Sequence, residues 1–183
     1  GRLISNDRLD LVAGQVSNGL DSRIASDNAL IARVTGLDQQ GGQMFRKHSL
    51  SLNLNQGRLN NQGLITAPLL VLKNLAMVDN HAGEISSAQG FTLNAASLDN
   101  SNGKLISNQA LTLRIEQALV NAKGLISASA LNQHSASLDN SEGLLSSRRE
   151  LNVDVDDELV NRNGSVVGDG HTRLTAQQLN NDN

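Results

Sequence analysis

The sequence LDNSNGKLIS, residues 98–107, recurs in modified form at a nearly constant interval along this chain. Residues 138–146 read LDNSEGLLS, residues 119–127 read LVNAKGLIS, and residues 159–166 read LVNRNGSV. Residues 78–86, VDNHAGEIS, are a further copy. A sequence that repeats at a fixed period indicates a fold made of similar units stacked on one another. The period therefore says more about the architecture than any single motif does. The chain is therefore predicted to be a repeat protein.

Glycine sets the register of the repeat. Seven glycines follow one another with almost the same spacing each time: Gly42, Gly63, Gly83, Gly103, Gly124, Gly143 and Gly164. Each of the last six is preceded, three positions earlier, by an asparagine: Asn60, Asn80, Asn100, Asn121, Asn140 and Asn161. Each of the same six is followed, two positions later, by an aliphatic residue: Ile65, Ile85, Leu105, Ile126, Leu145 and Val166. We expect these aliphatic residues to stack in one inward row.

Alternating apolar and polar residues predict short strands with one buried face. Residues 49–54 (SLSLNL), 111–115 (LTLRI) and 151–155 (LNVDV) show this pattern, and turn-forming Asn, Gly, Asp and Ser lie between such runs. Two or three strands with their turns in about 20 residues make one rung of a β-solenoid. The predicted fold is all-β, a parallel β-helix of about eight to nine rungs spaced about 4.8 Å apart. A second inward row is expected at Leu93, Leu113 and Val153.

The unbroken period predicts a single β-helical domain over residues 1–183, with less regular rungs in residues 1–41 and regular repeats over 42–183. The surplus of the second unit, residues 35–42, is interpreted as a loop or bulge. No signal peptide begins at Gly1, and the final residues LNNDN resemble the start of another turn. We therefore expect an internal or already processed piece of a longer array.

Composition narrows the possible functions. Cys, Trp and Tyr are absent, and Phe45 and Phe91 are the only aromatic residues. The core must therefore be built of narrow aliphatic layers, unlike that of a typical globular enzyme, and disulfides and cysteine metal sites are excluded. The net charge of −3, with acids and bases interspersed, gives no reason to expect a nucleic-acid partner. No apolar run is long enough to predict a membrane span.

The phrase L-D-N-x-x-G-x-L/I-x-S followed by L-x-L resembles the filamentous haemagglutinin repeats. These occur in two-partner secretion exoproteins and in contact-dependent growth inhibition proteins of Gram-negative bacteria. The resemblance is specific from about Gly42 to the end of the chain. It implies a right-handed parallel β-helix that is secreted through an outer-membrane transporter and displayed as a long filament. The resemblance does not extend to a secretion domain or a toxin domain.

The asparagine row is the best-defined polar feature, and it could be a ligand ladder or a stacked structural amide ladder. We favour the structural ladder, since identical buried amides one rung apart can bond to each other. The repeat glycines are expected at positions of positive φ. No catalytic, metal or cofactor site is predicted. The only acidic cluster is expected to be a solvated face, and it comprises Asp154, Asp156, Asp157 and Glu158. The histidines lie at different phases of the repeat: His48, His81, His134 and His171.

Three functions fit such a chain. It could be a structural shaft segment, a β-helical enzyme acting on acidic polysaccharide, or a module that binds a host glycan or receptor along its side. An enzyme needs long loops, for which the nearly constant spacing of the repeat leaves almost no room. Sugar binding usually uses aromatic platforms, which are scarce here. We therefore predict a non-enzymatic shaft at the bacterial surface. Its expected partners are the secretion transporter and neighbouring repeats of the parent chain.

Overall fold

A computed structural model describes residues 1–183, which form strands and turns only. In chain order the strands are β1 (Arg2–Ser5), β2 (Leu9–Val12), β3 (Gln15–Ser17), β4 (Arg23–Ser26), β5 (Ala29–Arg33), β6 (Gly36–Gln39), β7 (Gln43–Arg46), β8 (Ser49–Asn61), β9 (Leu64–Ala67), β10 (Leu69–Asp79), β11 (Glu84–Ser87), β12 (Phe91–Ala95), β13 (Ser97–Asp99), β14 (Lys104–Ser107), β15 (Ala110–Val120), β16 (Leu125–Ala128), β17 (Ala130–Asp139), β18 (Leu144–Ser147), β19 (Leu151–Val155), β20 (Glu158–Val160), β21 (Ser165–Gly168), β22 (Thr172–Thr175) and β23 (Gln178–Asn180). No membrane-spanning helix is found in the structure.

Two parallel sheets run the length of the molecule. Nine strands form the first sheet, in the order β1-β4-β7-β9-β11-β14-β16-β18-β21. The other fourteen strands form the second sheet, in which long strands such as β8, β10, β15 and β17 bend around a corner. The chain thus winds through about 9 turns of about 20 residues each. This architecture confirms the predicted parallel β-solenoid.

The core consists of aliphatic side chains stacked in register along the axis. Ile65 pairs with Ile85, Ile85 with Leu105, and Leu105 with Ile126 in successive strands of the first sheet. These residues are fully buried, as is Leu145. Val166, in the next rung, is only half-buried. The first inward row is therefore confirmed, with its last member less covered than the others.

The three predicted members of the second inward row are confirmed, but a polar residue that was not predicted lies between two of them. Leu93, Leu113 and Val153 are buried. Leu93 pairs with Leu113, but Gln133 lies between Leu113 and Val153 in the register. Gln133 is also buried. The backbone register of the sheet places this polar side chain inside the core.

The early rungs are more regular than the sequence indicated. Residues 35–42 were interpreted as a loop or bulge, and for residues 36–39 this was wrong, because they form β6 and pair with both β3 and β8. Leu37 is buried between Val16 and Leu59 in that register. The turn follows β6, and there Gly41 has a φ of 77°.

Candidate functional site

A buried ladder of side-chain amides runs from rung to rung along one corner of the solenoid. Each side-chain nitrogen donates to the side-chain oxygen of the next member, over 2.7 to 3.0 Å. In order, this amide ladder comprises Asn18, Gln39, Asn61, Asn80, Asn100, Asn121, Asn140, Asn161 and Asn181. Most members also donate to a backbone carbonyl of the next rung, as Asn100 does to Leu125 at 3.2 Å. The amides therefore hold successive rungs together, and between the two ends of the ladder they offer no free groups to a ligand.

Five of the six asparagines chosen from the sequence, Asn80 through Asn161, lie in the amide ladder, and Asn60 does not. Its place is taken by Asn61, which accepts from Gln39 and donates to Asn80. Asn60 lies in the adjacent row and donates to the Asp38 carboxylate at 2.9 Å. The reason is a shorter turn: one residue separates Asn61 from Gly63, where the later rungs have two between asparagine and glycine.

The repeat glycines allow the backbones of neighbouring rungs to approach each other closely. They do not have positive φ, so that expectation was wrong. Gly41 is the only glycine with positive φ, and the left-handed residue of each regular turn instead precedes the glycine, as Asn102 does with φ 55°. A Cβ on Gly103 would overlap the backbone oxygen of Asn80 in the previous rung. Five further glycines pack against the preceding rung in the same way: Gly63, Gly83, Gly124, Gly143 and Gly164. Glycine at this position lets the turns stack closely.

Arg46 is the one buried arginine. It is 5% exposed and pairs with Ser26 in the first sheet, at a corner that other rungs fill with serine, alanine or glycine. Its Nη2 donates to the Asn28 carbonyl, whereas Nε and Nη1 have no partner. Burial lowers the pKa of the Arg46 guanidinium, and nearby Asp27 partly offsets the shift. No carboxylate bonds to it, so the residue does not form a site for acid–base chemistry.

The only meeting of histidine with acids is on the outer surface of the second sheet. His134 lies one rung from Asp154, with Nδ1 3.4 Å from Asp154 Oδ2, and its Nε2 is 3.8 Å from Asp156 Oδ2. All three side chains are about half exposed, and Asp157 and Glu158 are exposed beside them. No group of three metal-ligating side chains is assembled anywhere in the chain. The predicted outward orientation of Asp154 and Asp156 is confirmed. Their pairing with His134 was missed, although the separation of 134 and 154 by one period signals it.

A recess of about 400 Å³ lies at the bend of the second sheet, and we refer to it as the corner recess. It is lined by Gln56, Asn74, Leu75, Asn94, Ala95, Arg114, Ile115, Glu116 and His134. It forms because flanking rungs carry extra residues at the bend. Gln56 and Asn74 adopt φ of 65° and 53°, and β15 shifts register after Ile115. The small Ala95 lies between these bulges and pairs with Ile115. The recess is polar at its rim and apolar at its floor.

The haemagglutinin repeat family matches this chain in two overlapping segments, residues 4–67 and 46–183. Together the two segments cover nearly all of the sequence. The chain therefore belongs to the haemagglutinin repeat family. No curated protein and no solved structure matches it. Family and fold together fit a structural shaft segment of a filamentous haemagglutinin-like protein.

Proposed function

We propose that this chain is a shaft segment of a large secreted exoprotein displayed on a Gram-negative cell, either an adhesin or a carrier of a contact-dependent inhibition toxin. The observation that supports this best is the unbroken amide ladder, which bonds each rung from Asn18 to Asn181 to the next. A rod with continuous bonding along its axis resists bending and adds length in fixed steps. Its function is then to hold an active terminus away from the cell.

The geometry of the rungs suits a spacer. Each rung adds about 4.8 Å, so nine rungs extend roughly 40 Å. Because a rung contacts mainly its neighbours, rungs can be added or removed with a nearly constant change in length and stability. We propose that residues 1–183 act as one such β-helical unit, stacked on neighbouring repeats of the parent chain.

Export supplies the second partner. Haemagglutinin repeats are found in secreted and surface exoproteins, and we propose that an outer-membrane transporter of two-partner secretion carries this chain. The absence of cysteine fits that route, since no disulfide can form before the chain crosses a narrow pore. Folding by stacking of successive rungs suits a chain that emerges gradually.

The test is a deletion of residues 103–123 in the parent protein. The deletion removes one complete period and joins Asn102 to Gly124. A spacer is expected to be exported and displayed as before, which surface labelling of the parent would measure. Loss of display by a variant that still folds would show that these residues do more than provide length.

A second candidate function is supported by the corner recess. Its amides at Asn74 and Asn94 can both donate and accept, and Arg114 and Glu116 make no ion pair. Such a rim could bond a host glycan or a polar receptor segment along the side of the rod. Arg114→Ala would then abolish binding to host cells or a glycan array, while Lys104→Ala on the other sheet would not. Equal binding by both variants would refute this alternative.

A further inference from the structure

Strand β17 carries two polar side chains at positions that the neighbouring rungs fill with aliphatic residues. Gln133 pairs with Leu113 on one side and Val153 on the other. Ser135 pairs in the same way with Ile115 and Val155. Gln133 is 2% exposed and Ser135 is fully buried. The core is therefore interrupted by a polar layer at this one rung.

The polar layer is incompletely satisfied. Gln133 Nε2 donates to Ser135 Oγ at 2.5 Å, but Gln133 Oε1 has no hydrogen-bond partner. A buried acceptor without a partner loses its hydrogen bonds to water without forming one in the protein, and this destabilises the folded state. Asn140 in the amide ladder of the same rung contrasts with this, because its nitrogen donates to Asn161, Gly143 and Ser165 and its oxygen accepts from Asn121.

In this fold, a loss of stability in one rung affects mainly that rung and its two neighbours. The stability of a solenoid is approximately a sum of terms for each rung and for its two interfaces. The rung that contains β17 lacks two aliphatic contacts with β15 and two with β19, so both of its interfaces are weakened. We propose that strand β17 of this rung, Ala130–Asp139, is a built-in opening point of the rod.

The opening point divides the rod into two blocks. The rungs directly before and after β17 keep aliphatic cores, with Leu111 and Leu113 on one side and Leu151 and Val153 on the other. Under heat, denaturant or tension, β17 separates from its neighbours first and both blocks remain folded. A rod with such a point yields at a fixed position, and that position is where proteases first reach the backbone.

Hydrogen exchange measured by mass spectrometry on the intact chain tests this directly. Amides of β17 are expected to exchange at least tenfold faster than those of β15 and β19. The double variant Gln133→Leu with Ser135→Val restores residue types found in the adjacent rungs, and it should slow β17 to the rate of its neighbours. Ser137→Ala is the matched control, because Ser137 lies in the same strand, is only half-buried and pairs with Ala118. It should leave the rates within about twofold.

A second, independent test moves the two polar residues to the neighbouring strand. Leu113→Gln with Ile115→Ser, made in the repaired chain, should move the fast exchange to β15. Uniform exchange across β15, β17 and β19 in the unaltered chain would overturn the proposal, as would unchanged β17 rates in the repaired chain. These two measurements decide the question even where the transplanted chain does not fold. None of them requires secretion or display, so failure here leaves the proposed shaft function intact.

Discussion

The side-chain nitrogen of Asn100 donates to the side-chain oxygen of Asn121, one rung away, over 2.7 Å. Asn100 also accepts from Asn80 at the same distance. A carboxamide can both donate and accept, so one residue type repeated at one position bonds to its own copies without limit. A carboxylate could not, because it only accepts. The amide ladder therefore explains why asparagine recurs with the period of the fold.

Asn100→Ala is expected to lower the free energy of unfolding by about 2–4 kcal/mol, since several buried groups each lose one hydrogen-bond partner. These groups include the Asn80 nitrogen and the Asn121 oxygen. Asn94→Ala serves as the control, because Asn94 is exposed and should change stability by no more than about 0.5 kcal/mol. Urea unfolding followed by circular dichroism would compare the two. A similar midpoint for both variants would show that the ladder contributes little.

Gly103→Ala should destabilise the chain by about 1–3 kcal/mol through overpacking. The added methyl group meets the Asn80 carbonyl, and the turn must move away from the preceding rung. Asn102→Gly is the contrasting variant, because Asn102 has a φ of 55° and glycine adopts that conformation without strain. It should be neutral or slightly stabilising. If the two substitutions had the opposite order of stability, backbone conformation and not close approach would explain the glycines.

Much of the fold can be predicted from the sequence because several residue types repeat independently with the same period. Glycine, asparagine and aliphatic positions repeat together, so an error at one position is corrected by the others. Asn60 shows where this fails. Counting three positions back from Gly63 selects it, but its turn is one residue shorter than later ones. Counting forward from the buried Leu59, which pairs with Val78, would have selected Asn61.

Other features could not be predicted because they depend on packing between rungs. Spacing alone does not distinguish a glycine that needs positive φ from one that needs room, and Gly103 needs room. The corner recess depends on extra residues at the bend, such as Asn74, whose effect appears only when rungs are stacked. Gln133 enters the core because the rungs on both sides fix the register of its strand. Its own polarity would place it outside.

Leu113→Asp is expected to destabilise the rod by about 4 kcal/mol or more, because it buries a charge without a partner. Leu113 is fully buried and pairs with Leu93 and Gln133, neither of which carries a positive charge that could pair with a carboxylate. Thr112→Asp introduces the same charge at the next position, which is half-buried and points outward, and it should be tolerated. Thermal melts by circular dichroism measure both. Equal melting temperatures would mean that the interior admits water or ions.

The chain is expected to show no hydrolase or lyase turnover and no stoichiometric metal. Histidine meets carboxylates only at His134, where Asp154 and Asp156 lie beside it on an exposed face, and of these three residues only His134 lines the corner recess. Purified protein would be assayed against polyuronates and analysed for bound metal. Turnover that is abolished by Asp154→Asn or Asp156→Asn would contradict the prediction.

The last prediction separates the repeat as a unit from the residues within it. Deleting residues 103–123 removes one whole period and keeps every phase, since Asn100 still precedes a glycine by three positions and Ile126 still follows it by two. The amide ladder can then close between Asn100 and Asn140, and the rod shortens by about 4.8 Å. This variant should fold and should melt close to the unaltered chain, because one rung and one interface are lost together.

Deleting residues 103–113 removes only about half of a period and joins Asn102 to Arg114. The turn is then followed directly by the second half of β15. Polar residues that form a corner therefore occupy the position of a strand of the first sheet that has an inward-facing side. Half a rung cannot pair with either neighbour in register, and the variant should fold poorly or melt well below the clean deletion. Circular-dichroism melts and small-angle scattering of both proteins would decide. Similar melting of the two deletions would mean that the rungs are not stacked in the strict register on which the shaft function depends.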